Sequence, residues 1–206
     1  MEKDNWKRRI FAVTNRHLCE GGEEEFLRQI ERICKNHPRA LLLREKDLTE
    51  ESYGRLLEKV QKICKDFSVI CIPHTYWKIA YEKKFHQIHV SMAVLEANPQ
   101  IVQLFGTVGV SVHSPEEAIH AEQMGVSYVT AGHVFTTQCK PGLPARGTEF
   151  LREVCEAVEI PVYAIGGMKG NETCVKEMQE CGAAGICVMS ECMRWKFPLA
   201  TKEKVC

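Results

Sequence analysis

The stretch Glu23–Lys65, EEEFLRQIERICKNHPRALLLREKDLTEESYGRLLEKVQKICK, decides the fold class. Its first part sets Phe26, Leu27, Ile30 and Ile33 at helical spacing among charged residues, which predicts an amphipathic helix with one apolar face. Its middle, ALLLREK (40–46), is a short apolar run that ends in charge, the pattern of a buried strand reaching a polar rim. Its last part repeats the helical spacing with Leu56, Leu57, Val60 and Ile63. Each helix has a face to lay against a sheet.

The same unit recurs outward in both directions. Eight strand-like runs follow one another: IFAVTN (10–15), ALLLREK (40–46), SVICIP (68–73), QIHVSM (87–92), TVGVSV (107–112), YVTAGHVF (128–135), PVYAIGG (161–167) and GICVMS (185–190). Strands that alternate with helices pair in parallel through right-handed crossovers, and units of about 25 residues fit a small (β/α)8 TIM barrel. The rival is an open doubly wound sheet. No linker or low-complexity segment divides the chain, so residues 1–206 are expected to form one α/β barrel domain. The third and fourth helices are the weakest expectations, because HTYWKIAYEKK (74–84) and AVLEANPQIVQ (93–103) are short and hold poor helix formers. The tail ECMRWKFPLATKEKVC (191–206) contains Pro198 and is expected to give only a short last helix.

Lys and Arg together number 27, as do Asp and Glu, so the global charge points to neither nucleic acid nor an anionic membrane; a local cationic pocket for a small anion stays open. The eleven cysteines are odd in number and contain no C-x-x-C pair, and Cys71 and Cys187 sit inside apolar runs, which reads as reduced thiols serving as small fillers. The N-terminal MEKDNWKRRIFAVTN has too short an apolar stretch for a signal peptide, and no run reaches the roughly 18 residues of a membrane helix. A cytoplasmic protein is expected, with no membrane or nucleic-acid partner and with room for a homo-oligomer.

In such a barrel, chemistry sits at the C-terminal ends of the strands, and phosphate is commonly held by the loops after strands seven and eight. The strand ends here carry Thr14 and Asn15, then Arg44, Glu45 and Lys46, then Ser111 and His113, then His133, Gly166 with Gly167, and Met189 with Ser190. Gly166 and Gly167 let backbone N–H groups approach an anion without a Cβ in the way, and the following helix is expected to add its positive N-terminal end. Ser190 can donate from both hydroxyl and backbone. Arg44 and Lys46, two apart, are expected to share one strand face as a cationic wall, and Lys140 and Arg146 bracket the proline-stiffened loop after His133. His133 shares the alternation of Val129 and Ala131, which suits a structural histidine. Its place at the rim, beside Gly132 and ahead of a cationic loop, favours a proton carrier instead. His113 and the pair His86 and His89 compete with it. H-x-x-H on a strand sends its rings to opposite faces, so no metal site is expected there.

LLLREK, GVSVHSPEEA, YVTAGHVFTTQCKPG, IPVYAIGGM and GAAGICVMS, in that order, resemble successive landmarks of the thiamine phosphate synthase superfamily of (β/α)8 barrels. Within it, GHVFTTQCKPG with a histidine after the glycine looks like the thiazole tautomerase branch, where the synthase branch carries GPIFPT-x-T-K. Synthases have Asn-Asp after strand three and an Asp after strand four for Mg2+; Pro73, His74 and Val94 stand near those positions here, with Glu96 nearby. The resemblance implies a phosphorylated thiazole as substrate and its aromatisation by proton transfer through His133, with no metal or redox cofactor. It further implies that Arg44, Lys46 and Lys140 line an anion pocket with Ser111, Gly166, Gly167, Met189 and Ser190. A Mg2+-dependent synthase and a ligand-sensing barrel without turnover are the alternatives.

Overall fold

Residues 6–137 and 142–196 are described by the structure, a computed structural model. Eight strands run β1 (Ile10–Val13), β2 (Ala40–Leu43), β3 (Ile70–Pro73), β4 (Gln87–Ser91), β5 (Thr107–Val112), β6 (Tyr128–Gly132), β7 (Val162–Ile165) and β8 (Gly185–Val188). Between them lie α1 (Gly22–Cys34), α2 (Glu50–Asp66), α3 (Trp77–Glu82), α4 (Met92–Ala97), α5 (Ile101–Leu104), α6 (Pro115–Gln123), α7 (Gly147–Ala157) and α8 (Glu172–Glu180). The strands pair in parallel in the order β3-β2-β1-β8-β7-β6-β5-β4, which closes a (β/α)8 barrel and rules out the open doubly wound sheet. The seam between β3 and β4 is spanned by one parallel bridge, His74 to His89, and by the Thr75 N–H donating to the His89 carbonyl at 2.9 Å.

Strand alternation sorts the core into two layers. Ala12, Leu41, Leu43, Val110, Val129 and Ala131 face outward against Phe26, Ile30, Leu57 and Val60 of the helices. Phe11, Val13, Leu42, Ile72, Tyr128, Tyr163 and Cys187 fill the interior. Phe11 stacks on Tyr163 with ring centroids 4.1 Å apart and meets Tyr128 edge-on at 5.4 Å, so three rings plug the barrel below the rim. A Cβ on Gly109 would lie 2.0 Å from the Tyr128 ring; the glycine makes space for that plug.

The weakly expected region from 93 to 103 is two short helices, α4 and α5, broken around Asn98 and Pro99. The described part of the tail, 191–196, holds a three-residue 3-10 turn, Cys192–Arg194; the rest of the tail, with Pro198, lies outside the described residues. No helix among the described residues is long and apolar enough to cross a membrane. All nine described cysteines are free.

Candidate active site

A cavity of about 550 Å³ opens at the C-terminal ends of the strands. Arg44, Lys46, Ser111, His133, Gly166, Gly167, Met189 and Ser190 all line it. Lys140 lies outside the described residues.

Arg44 and Lys46 follow the end of β2 rather than lying on it, so strand pleating does not aim them. The Thr14 hydroxyl donates to Glu45 Oε1 at 2.6 Å and accepts from the Arg44 N–H at 3.0 Å. The Arg16 N–H adds bonds to both Glu45 oxygens at 3.1 Å. Glu45, 2% exposed, is thereby locked inward, and its two cationic neighbours are held at the cavity.

His133 departs from the alternation expected of it. β6 ends at Gly132, and the chain beyond bonds to the end of β7: the Val134 N–H donates to the Ile165 carbonyl at 2.9 Å and the Phe135 N–H to the Gly166 carbonyl at 3.0 Å. The ring lines the cavity while Val129 and Ala131 face the helices. The returning loop bonds back through the Arg146 N–H to the His133 carbonyl at 3.2 Å. His133 is 6% exposed; its Nε2 lies 3.4 Å from the Leu143 carbonyl, and its buried Nδ1 has no hydrogen-bond partner among the described residues. A ring that donates from Nε2 keeps a lone pair on Nδ1, the arrangement of a base.

The loops after β7 and β8 continue the wall beside His133. Gly166 (φ 103°) and Gly167 (φ 71°) adopt left-handed backbone, and Lys169 and Arg194 join them on the wall. The helix after β7 contributes less than expected: no described residue of α8 lines the cavity, and the Cys174 N–H is already held by Asn171 Oδ1 at 2.9 Å. Glu191 also lines the wall, with Oε2 accepting from the Gly170 N–H at 3.0 Å.

Sequence reasoning missed His74, Thr130, Thr136, Thr137, Lys169 and Arg194 on the lining. His74, 4% exposed, is set by the Tyr53 hydroxyl, which accepts from its N–H at 2.8 Å, and its Nδ1 meets Thr75 Oγ1 at 2.7 Å. Burial, then His89, Lys46 and Arg44, holds its pKa well below the usual imidazole range. His86 precedes β4 and is exposed, whereas His89 lies within β4 and is buried. His113 lines the cavity with its side chain 42% exposed and Nδ1 3.4 Å from Glu117 Oε2.

The positions that the resemblance relates to Mg2+ offer no hard oxygen set. Pro73 is apolar, His74 is a buried imidazole, and Val94 sits on α4. Glu96 is half-exposed and faces His120 at 3.5 Å. Among the described residues, no group of three His, Cys, Asp or Glu side chains is placed to hold a metal ion. The donors present do not fit Mg2+.

Residues 10–192 match the thiamine monophosphate synthase family. A putative thiamine-phosphate synthase 2 of Aquifex aeolicus is 31% identical over 88% of this chain and 96% of its own. A thiamine-phosphate synthase of Fusobacterium nucleatum is 28% identical over 88% and 87%. In fold, a thiamine phosphate pyrophosphorylase from Pyrococcus furiosus superposes with a TM-score of 0.72 at 22% identity, with 94% of each chain covered. The rim cavity, the barrel beneath it and these matches agree: the chain belongs to the thiamine monophosphate synthase family.

Proposed function

We propose that this chain is a thiazole tautomerase of thiamine biosynthesis, converting a dihydrothiazole with a 2-carboxyl and an exocyclic ethylidene phosphate into the aromatic 2-carboxy-4-methylthiazole ethyl phosphate. The observation that carries this reading is His133, whose ring lines a cavity with cationic side chains on two walls and whose buried Nδ1 has no partner among the described residues. In the reaction the C2–H bond breaks and its proton passes to the His133 imidazole. The electron pair spreads through the conjugated ring, a C–H bond forms at the side-chain carbon with the proton the imidazole returns, and no electrons are gained or lost. Gly166, Gly167, Lys169, Ser190 and Arg194 are assigned to the phosphate, and Arg44 with Lys46 to the carboxylate, which fixes the ring against His133. Ser111 is assigned to the ring end, and Met189 supplies apolar contact.

The names of the relatives favour a second reading, a thiamine-phosphate synthase, for which the family resemblance implies Mg2+. Against it stands the donor set near Pro73, His74 and Val94. The two are separated by proton NMR of the purified protein with the non-aromatic thiazole carboxylate phosphate in excess chelator. Aromatisation under chelator is the expected result. Joining of a pyrimidine pyrophosphate to thiazole phosphate, dependent on added Mg2+ and without aromatisation, would replace the tautomerase by the synthase; binding with neither reaction would leave a sensor.

A further inference from the structure

We propose that His89 is a positioning residue that aims the Ser111 hydroxyl hydrogen into the cavity, so that Ser111 meets the ligand as a donor; the reaction step assigned to it rests on the tautomerase reading. His89 is 1% exposed inside the barrel wall and does not itself line the cavity, whereas Ser111 and Thr130 do. Its Nδ1 lies 3.1 Å from the Tyr128 hydroxyl and its Nε2 2.9 Å from Ser111 Oγ. Thr130 Oγ1 lies 3.2 Å from the same Ser111 oxygen.

The directions follow from who has a partner. Burial raises the Tyr128 pKa well above its usual value, so the group is a phenol with a hydrogen to place. Among the described residues its only hydrogen-bond partner is His89 Nδ1, which must therefore accept. The ring is neutral: burial first, then Lys46 and Arg44, takes its pKa down to about 3, and the His74 ring packs 5.1 Å away. A neutral ring that accepts at Nδ1 carries its hydrogen on Nε2 and donates to Ser111. The opposite tautomer would bury a phenol hydrogen with no acceptor. Thr130, 1% exposed, makes its hydroxyl hydrogen bond with Ser111 and with no other described residue, so it donates too. Ser111 Oγ then accepts twice, and its own hydrogen is left for the cavity. When the C2–H bond breaks and charge spreads onto the ring and carboxylate, that donor is already oriented and needs no rearrangement.

The test starts with ring-nitrogen NMR of the full chain, with His89 assigned through His89→Gln. A neutral ring protonated at Nε2 between pH 5 and 8 is expected; protonation at Nδ1, or a ring that titrates in that range, overturns the proposal whatever the substrate is. Turnover comes second. His89→Leu removes both contacts and is expected to lower kcat by about 10 to 100-fold, at or below the ~100 to 1,000-fold of removing a preorganised donor outright, because Ser111 itself remains. His89→Gln, whose amide can accept from Tyr128 and donate to Ser111, should recover most of that loss with KM little changed. Equal losses in the two variants, in folded protein by circular dichroism, would overturn the positioning role. Should wild type fail to aromatise its substrate, the tautomerase reading falls alone, and the NMR tautomer still decides the hydrogen-bond relay.

Discussion

Gly166 is the backrest of His133: a Cβ built on the glycine would lie 2.3 Å from the His133 Cβ and 2.7 Å from its Cα. The loop proposed to hold phosphate thus also sets the position of the proposed proton carrier. Gly166→Ala should strain a backbone at φ 103° and displace the ring, costing about 1–3 kcal/mol of stability and most of the turnover. Gly125→Ala supplies the control, since Gly125 has φ 86° but nothing within 4 Å of a new Cβ. Thermal unfolding should report a loss in both variants, while kcat should fall only in Gly166→Ala. Parallel falls in kcat would remove the backrest argument.

His133→Ala should bind the aromatic product phosphate nearly as well as wild type and lose about 100 to 10,000-fold in kcat, the usual contribution of a general acid–base group. His133→Asn should be as inactive, because an amide keeps polarity without carrying a proton. In deuterated water, wild type should place deuterium on the side-chain carbon next to the ring, with some hydrogen retained if one imidazole crosses a single face. Near-normal turnover by His133→Ala would transfer the role to another ring, with His113 next to be tested.

The strands and their order were legible because each is an apolar run closed by polar or glycine residues, and α1 and α2 because Phe26, Ile30, Leu57 and Val60 repeat at helical spacing. The regions of α3, α4 and α5 were poorly legible because helices of 6, 6 and 4 residues carry too few turns to show a period. In a parallel barrel the strand ends share one rim, so Arg44, Ser111, His133 and Gly166 could be gathered from sequence alone. The His89–Tyr128 bond could not. It joins residues 39 apart and depends on strand register, which no local pattern records. Lys169 lies two residues past Gly167 and could have been found by following that loop further; Arg194 required the fold of the short turn after β8.

The phosphate should dominate affinity. Gly166, Gly167, Ser190, Lys169 and Arg194 line one cavity, and hydrogen bonds to charged groups are each worth about 1.5–3 kcal/mol. Calorimetry with the aromatic carboxylate, with and without its phosphate, should therefore differ by at least about 10-fold in Kd. Lys169→Ala and Arg194→Ala should each narrow that gap without weakening the phosphate-free ligand. Equal affinities for the two ligands would remove the phosphate assignment.

Two buried neutral imidazoles at the seam between β3 and β4 should make the fold sensitive to mild acid. In the unfolded chain each histidine titrates near 6.5; in the folded chain burial lowers both pKa values, His89 to about 3. Below about pH 6.5 the unfolded state therefore takes up protons that the folded state refuses. The stability held by the neutral rings is complete above about 6.5 and is lost as pH falls toward about 3, at up to ~1.4 kcal/mol per pH unit for each ring. Most carboxylates begin to titrate only near the lower end of the interval from pH 7 to 5, so denaturant midpoints across it should report chiefly on histidines. Wild type should lose stability steadily over that range, and His89→Gln, which keeps a polar group but has no proton to gain, should give a shallower slope. Identical slopes would mean that the His89 ring accepts a proton in the folded protein, contrary to its place against Tyr128, Lys46 and Arg44.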